Sequence, residues 1–312
     1  MASELSLRSQ SRAQRFWRGV KAHKYKYLMI LPVLIYLAIF CYKPMYGILI
    51  AFKDYRPSRG IMASRWVGLK HFQSFFNDIY FWRLIRNTIS ISGLSIVFGF
   101  PMPIILALSL NEVQSSLFKR TVQTISYMPY FISTVVVCGL LTTYCATDGV
   151  FNDVVAALGG KRQNMLLNKN LFYLIYVGSG VWQGIGWNSI IYLAALSGID
   201  QAQYEAARID GASRMQQIIH ITLPGLLPTV TILFILRMGS ILSVGSDKIL
   251  LLYQPLTYEV ADVISTYSYR RGLVDANYSF GTAVGLFNSL VNIFFLLLTN
   301  AISRKISDSS LF

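Results

Sequence analysis

The residues of this 312-residue chain with the clearest chemical purpose lie in one short polar run. It reads Glu205-Ala206-Ala207-Arg208-Ile209-Asp210-Gly211-Ala212 and closes with Ile221-Thr222-Leu223-Pro224. The run combines a carboxylate, small residues that permit close approach of another surface, and a glycine that interrupts a helix. Because it lies between two long apolar segments, the bland interpretation is a connector with ordinary caps. Its internal organisation predicts instead a docking surface.

Polar side chains inside the apolar segments form a second group. Arg237 lies thirteen residues after Pro224, about 20 Å along a helix, and an arginine at that depth must face water, a partner or a carboxylate. We predict that Arg237 attracts an anionic substrate; snorkelling or an ion pair with a partner chain are the alternatives. Trp187, Asn188 and Asn288 are further candidate substrate-path residues, although packing and bonding between helices are common roles for such side chains.

The chain lacks the constellations of an enzyme, a metal site or a nucleotide site. Its three histidines are far apart in sequence, and no nucleophile–base pattern accompanies them. Its three cysteines have neither a CxxC pair nor a metal-ligand spacing. The segment Gly159-Gly160-Lys161-Arg162 has neither the spacing nor the hydroxyl of a phosphate loop. We therefore expect no catalytic residue, no metal ligand and no cofactor bound by this chain.

The elements that must position these residues are membrane helices. Apolar residues make up 54% of the chain and charged residues only 13%, against about 25% charged residues in soluble domains. Six apolar segments are each long enough to cross a hydrocarbon core about 30 Å thick: Tyr27–Ala51, Leu84–Leu110, Val122–Cys145, Leu171–Leu196, Pro224–Val244 and Gly281–Ile302. Lipid requires each span to be helical, so the fold class is an all-α polytopic membrane protein with about six transmembrane helices.

Charge sets the expected orientation and division of the chain. Seven positive residues lie in the segment 1–26, which we expect to be cytoplasmic and partly interfacial: Arg8, Arg12, Arg15, Arg18, Lys21, Lys24 and Lys26. A transmembrane domain would then cover residues 27–305 and a cytoplasmic tail 306–312. The predicted outer connections carry more positive charge than the inner ones, so the orientation depends on the N-terminal segment.

Capping signals predict a helical elbow over residues 200–223. Asp200 can cap a helix that begins at Gln201, and Gly211 ends that helix. Ser213 and Gln216 have the spacing of a capping box for a second helix. Pro224 is expected to open the fifth span, where a missing N–H costs nothing.

The spacing within the elbow carries a family resemblance. Glu-Ala-Ala, three residues, Gly, nine residues, Ile, one residue and Leu-Pro resembles the signature of permease subunits of binding-protein-dependent ABC importers. Further segments resemble the oligosaccharide branch, akin to the maltose permeases, and within it the paired permeases of bacterial alginate importers. These segments are Phe40–Gly47, Ala51–Tyr55, Trp66–Phe72, Arg86–Thr88, Ala261–Tyr267 and Arg270–Leu273.

This resemblance implies a type I ABC importer permease fold in a bacterial inner membrane, with both termini cytoplasmic. Its elbow would be a coupling helix that docks on a separate ATPase, where ATP and Mg would bind. The implied coupling residues are Glu205, Ala206, Ala207, Asp210, Gly211, Ile221, Leu223 and Pro224. Implied partners are a second, non-identical permease, two ATPase subunits and an extracytoplasmic solute-binding protein, with no nucleic acid.

The resemblance also indicates the cargo. It implies oligosaccharides, and the outer positive charge together with Arg237 favours acidic ones; neutral oligosaccharides are the alternative. Arg270 and Arg271, in the last outer connection, would face the docked binding protein. A stand-alone secondary transporter would need an ion-coupling carboxylate inside a span, and no Asp or Glu lies within the six apolar segments.

Overall fold

The computed structural model describes residues 21–306 and 310–311, and it is almost wholly helical, as the sequence predicts. The four predicted N-terminal arginines, and most of the predicted tail 306–312, lie outside the described residues. The described chain divides into two compact units, one that ends at Gly68 and one that begins at Leu69. The prediction that residues 27–305 form a single transmembrane domain stays a prediction.

The first unit contains one long helix and a small hairpin. Helix α1, Lys24–Phe52, changes pitch along its length: it is an α-helix over Lys24–Tyr36, a π-helix over Leu37–Tyr42 and a 3-10 helix over Tyr46–Phe52. The π segment ends just before Lys43-Pro44, because proline has no N–H to continue the regular hydrogen-bond ladder. The large apolar side chains of α1 between Leu28 and Ile48 are exposed, as expected for a span that faces lipid.

A two-stranded antiparallel hairpin follows α1. Strand β1, Lys53–Asp54, pairs with strand β2, Arg65–Trp66, and the short helix α2, Gly60–Ala63, lies between them. The rings of Phe52 and Trp66 stack with their centroids 5.7 Å apart. This hairpin was not predicted, because strands of two residues are too short to show an alternating pattern.

The second unit is a bundle of helices joined by short turns. Its helices are α3 Lys70–Phe76, α4 Phe81–Gly99, α5 Pro101–Glu112, α6 Ser116–Tyr127, α7 Thr134–Tyr144, α8 Val150–Ala157, α9 Lys169–Ser197, α10 Gln201–Ile209, α11 Arg214–Met238, α12 Ser246–Leu252, α13 Tyr258–Ala261, α14 Ile264–Tyr269 and α15 Tyr278–Ile306. The short helices α12–α14 connect α11 to α15 and pack on the bundle. This segment is called the returning hairpin below.

Four helical stretches of the described chain are long and apolar enough to cross a membrane: Lys24–Phe52, Phe81–Glu112, Arg214–Met238 and Tyr278–Lys305. They match four of the six predicted spans. The predicted span Val122–Cys145 is divided instead, because Ser116–Phe131 and Thr134–Tyr144 meet at an angle of 96°. Pro129 interrupts the first helix, and Ser133 caps the second by accepting a hydrogen bond from the Val136 N–H at 3.3 Å.

The remaining predicted span, Leu171–Leu196, is a single helix that is less apolar than the other four. Helix α9 has 29 residues, about 44 Å at 1.5 Å per residue, which is sufficient to cross a bilayer. Glycines and side chains such as Gln183 and Asn188 lower its hydropathy. Polar residues on a spanning helix generally face protein or a water-filled path rather than lipid.

Helix α9 packs at the centre of the second unit, against α4, α5, α6 and α11. Gly186 permits the contact with α6, because the Ser126 carbonyl lies where a Cβ on Gly186 would be. Gln183 donates a hydrogen bond to the Ile132 carbonyl at 2.9 Å and thereby holds the break between α6 and α7. One core cluster joins α9 to the returning hairpin through Phe172, Tyr176 and Ile249.

Candidate functional site

The first half of the elbow has the local structure that its caps predict. The Asp200 carboxylate accepts a hydrogen bond from the Ala202 N–H at 3.0 Å and so begins α10. At the other end, the Ala212 N–H donates to the Ala207 carbonyl at 2.8 Å and the Gly211 N–H to the Arg208 carbonyl at 3.1 Å. These two bonds form a Schellman motif, which requires a left-handed residue after the helix. Gly211 supplies it, with φ of +77°.

The second half of the elbow leads without a break into the membrane helix. Ser213 and Gln216 form the predicted capping box, in which the Ser213 N–H donates to the Gln216 side chain at 2.7 Å. Pro224 stands in the first turn of the regular α-helical part, Leu223–Met238, as predicted, but α11 as a whole already begins at Arg214 and continues through Pro224. A π-helical stretch, Ile218–Thr222, precedes Pro224 and accommodates its missing N–H, as at Pro44 in α1.

The elbow presents a surface suited to a protein partner. Glu205 and Ala206 are exposed, and Glu205 forms no ion pair within the described part of the chain. Beside them, Ile209 is 87% exposed and Met215 is 63% exposed. Unpaired charge next to exposed apolar side chains is typical of a surface that a partner covers.

The remaining predicted coupling residues divide by exposure. Asp210, Gly211, Leu223 and Pro224 are exposed, whereas Ala207 and Ile221 are partly buried. Asp210 occupies the C-cap position of α10. Glu205, Ala206, Asp210 and Gly211 therefore lie in the last two turns of α10 and its C-terminal cap, while the closing residues belong to the membrane helix.

A cavity of about 690 Å³ lies beside α9, between α5 and α11. Arg237 and Lys248 line it together with Tyr176, Trp187 and Asn188. The described residues around this cavity include no Asp or Glu. Its walls thus combine two cations with aromatic rings and amides, a combination suited to an anionic ligand that also has hydroxyl groups.

Arg237, the predicted substrate-path residue, lines this cavity, and its role there stays a prediction. It also lines a smaller cavity of about 70 Å³ with Ser92, Ser95 and Ser240, so it lies between the two spaces. Arg237 is exposed in the isolated chain, and no carboxylate of the described residues pairs with it. Its charge is therefore available to a ligand or to a partner chain.

Lys248 is the cavity residue that the sequence did not single out. In the sequence it is one of many positive residues in the predicted outer connections, yet in the structure only 9% of it is exposed. Its ammonium donates to the Tyr176 carbonyl at 3.0 Å and lies 4.9 Å from the centroid of the Tyr176 ring. The available signal was the apolar run Ile249–Leu252 directly after it, which predicts a segment that packs into the bundle.

The other predicted substrate-path residues have different positions. The Trp187 ring stacks on Tyr130 with centroids 4.6 Å apart, so one face packs while an edge lines the cavity. Asn188 lines the cavity, but Asn288 does not. The nearby Asn292 bonds between helices, accepting from the Leu242 N–H and donating to the Ser243 hydroxyl, both at 2.9 Å.

Arg270 and Arg271 both line an open basin of about 650 Å³ on the returning hairpin. Arg270 donates to the fully buried Asp262 at 2.7 Å. Arg271 pairs with the exposed Asp275 at 3.2 Å. Arg270 is therefore structural as well as accessible, whereas Arg271 is the freer of the two.

Two further polar contacts hold the hairpin. Burial raises the pKa of the Tyr267 hydroxyl, which donates to Asp78. The Lys169 ammonium hydrogen-bonds Glu259 and holds the pKa of that carboxyl below its usual value. Neither group is available as a proton donor or acceptor for chemistry near neutral pH.

Comparison with known proteins agrees with this arrangement. Residues 99–308 match the sequence profile of the family described as binding-protein-dependent transport system inner membrane component. The chain belongs to this family. Its members are ABC permeases, non-enzymatic translocation subunits whose ATPase is a separate subunit, so this chain is a multi-pass membrane permease of a sugar importer.

Individual relatives cover nearly the whole permease. This chain is 42% identical over 290 residues to the polygalacturonan/rhamnogalacturonan transport system permease protein YteP of Bacillus subtilis, and the match covers 93% of this chain and 90% of YteP. It is 42% identical over 295 residues to Protein LplB of Bacillus subtilis, covering 94% and 93%. It also resembles a chain of the crystal structure of a bacterial alginate ABC transporter in complex with an alginate pentasaccharide-bound periplasmic protein, with 45% identity, a TM-score of 0.88, and coverage of 95% of this chain and 100% of that chain.

Proposed function

We propose that this permease forms half of an ATP-driven translocation pathway for acidic oligosaccharides derived from uronic-acid polysaccharides. The observation that carries the proposal is that Arg237 and Lys248 line the same cavity, whose described lining has no carboxylate. Two cations with no internal counter-charge create a positive potential that attracts a polyanion. Tyr176 and Asn188 add groups that pack against and bond sugar rings.

The relatives support an acidic cargo. The names of two of them refer to polygalacturonan/rhamnogalacturonan and to alginate, and both kinds of polysaccharide contain uronic acids. A uronate carboxylate can accept charge-assisted hydrogen bonds from arginine or lysine, and such bonds are roughly twice as strong as neutral ones. A neutral sugar has no carboxylate to match these two cations.

The proposed assembly has three further subunits and a binding protein. A second, non-identical permease would complete the pathway, and two ATPase subunits would dock on the elbows and carry ATP and Mg. Exposed Glu205 would pair with a cation of the ATPase, and Ala206 and Gly211 would allow close seating. An extracytoplasmic binding protein would dock near Arg270 and Arg271. The elbow and both termini would face the cytoplasm.

The cargo can be tested by uptake into proteoliposomes that contain the complete importer. Probes would be trigalacturonate and an alginate trisaccharide, with maltotriose as the neutral comparison. We expect Arg237→Gln and Lys248→Gln each to lower acidic uptake by at least about tenfold, because a charged hydrogen bond contributes roughly 1.5–3 kcal/mol. Maltotriose uptake should change by less than about twofold, because the glutamine amide can still bond a neutral hydroxyl in place of the lost cation.

A matched control is Lys161→Gln, which removes one exposed positive charge of the outer connections and should leave all three rates unchanged. Equal losses for acidic and neutral probes would contradict the acidic cargo and favour neutral oligosaccharides.

A further inference from the structure

The first helix of the elbow, α10, contacts the membrane helix α11 through a residue outside the family signature. The hydroxyls of Tyr204, on α10, and Thr222, on α11, share a hydrogen bond of 3.0 Å. We propose that Tyr204 is a positioning residue that transmits movement of the elbow to α11 through Thr222. This inference rests on the proposed docking of the elbow on an ATPase and adds the link between docking and the cavity.

Both hydroxyls are shielded at the contact. Thr222 is only 1% exposed and Tyr204 is partly buried, so water competes poorly for their bond. Thr222 is the last residue of the π-helical stretch before Pro224, where the ladder is irregular. Its hydroxyl also lies 3.4 Å from the Gln217 carbonyl, which leaves the side chain one preferred orientation, towards α10.

The backbone alone is a poor link between α10 and α11. The two bonds of the Schellman motif fix the end of α10, but the dihedrals from Gly211 to Ser213 still determine its direction relative to α11. Gly211 is exposed, and no atom lies within 4 Å of the position its Cβ would occupy. A push on Glu205 could therefore turn α10 about this glycine, unless a second contact ties α10 to the membrane helix.

A second contact lies one helical turn further along α11. A Cβ on Gly225 would lie 2.8 Å from the Ile199 Cδ1, so the segment before α10 packs directly on α11 there. Ile199, just before α10, thus contacts α11 at Gly225. Tyr204, within α10, contacts α11 at Thr222. From Thr222 to Arg237 the helix runs fifteen residues, about 22 Å, so α11 joins the tied elbow to the cavity.

The test is the number of sugar molecules imported per ATP hydrolysed by the reconstituted importer. The variants are Tyr204→Phe and Thr222→Val, which remove only hydroxyls, and the double variant. We expect the complex to assemble and to hydrolyse ATP within about twofold of the unmodified protein. Trigalacturonate imported per ATP should fall about tenfold, and the double variant should be no worse than either single variant.

Thr222→Ser keeps the hydroxyl and should restore the ratio, which a purely structural role of the threonine methyl group would not predict. An unchanged ratio in both single variants would overturn the inference, and so would losses that add in the double variant. Failure of the proposed function gives a different result, because the unmodified importer would then hydrolyse ATP without importing either acidic probe.

Discussion

Asp262 is a fully buried carboxylate that holds two arginines, one on α4 and one directly after α14. Arg270 lies 2.7 Å from it and Arg83 lies 3.7 Å from it, and the Thr266 hydroxyl donates to its second oxygen at 2.8 Å. Removing one partner of a buried ion pair leaves an uncompensated charge, which costs far more than the pair itself contributes. Asp262 therefore fixes the returning hairpin.

We predict that Asp262→Asn destabilises the protein by about 3–5 kcal/mol, because two arginines lose their counter-charge. Thermal unfolding of the detergent-solubilised protein measures this. The control is Asp275→Asn, which breaks the exposed pair with Arg271 and should cost at most about 1 kcal/mol. Equal effects of the two substitutions would contradict a structural role for Asp262.

At the residue scale, sequence points to a side chain when it is conspicuous in its own segment. Arg237 is a lone charge in an apolar run, so it could be chosen from sequence, and in the structure it lines the cavity. Lys248 is one of many positive residues in the predicted outer connections, and only the fold of the segment α12–α14 brings it to Tyr176. The same limit explains Asn288, whose helix face could not be assigned before the packing of α15 was known.

Among the elements, the elbow and α9 show what local sequence determines. The caps at Asp200, Gly211 and Ser213 act within a few residues, so they were predicted from sequence. The continuation of α11 through Pro224 was not, because a π-helical stretch compensates for proline without a distinct sequence signal. The 96° bend between α6 and α7 depends on Gln183 of another helix, a contact that local patterns cannot show.

At the contact between α6 and α9 we predict that Gly186→Ala destabilises the bundle. A Cβ there would overlap the Ser126 carbonyl, and overpacking of this kind costs about 1–3 kcal/mol. Gly178→Ala is the matched control, because Gly178 is on the same helix and nothing lies within 4 Å of its Cβ position. Thermal unfolding should separate the two variants, and an equal or greater stability for Gly186→Ala would disprove the close contact.

For the whole molecule, two distant family-like segments prove to be partners. The Asn87 side chain donates to the carbonyls of Glu259 and Asp262 at 3.0 and 2.9 Å, and the Ile264 N–H donates to the Thr88 hydroxyl at 3.1 Å. The segments 86–88 and 261–267 were noted separately in the sequence. Their contact spans more than 170 residues of chain, which explains why no local pattern could join them.

In the whole molecule, helix α11 joins the two parts that the proposed importer needs. The elbow is at one end of α11 and the cavity is near the other, so a single helix connects the site that would receive ATPase movement with the site that would hold sugar. The returning hairpin, fixed by Asp262 and Asn87, supplies Lys248 to that cavity. The central claim is that the elbow docks on an ATPase subunit and drives this pathway.

The most direct test is co-purification of the permease with its ATPase subunit from membranes, together with ATP-driven uptake. The variant Glu205→Ala with Gly211→Arg removes the exposed carboxylate and blocks close seating. The account predicts loss of the ATPase from the purified complex and loss of uptake, while the control Asp153→Asn, an exposed position on α8, retains both. A complex that keeps its ATPase and its transport-coupled ATP hydrolysis after the Glu205→Ala and Gly211→Arg changes would contradict it.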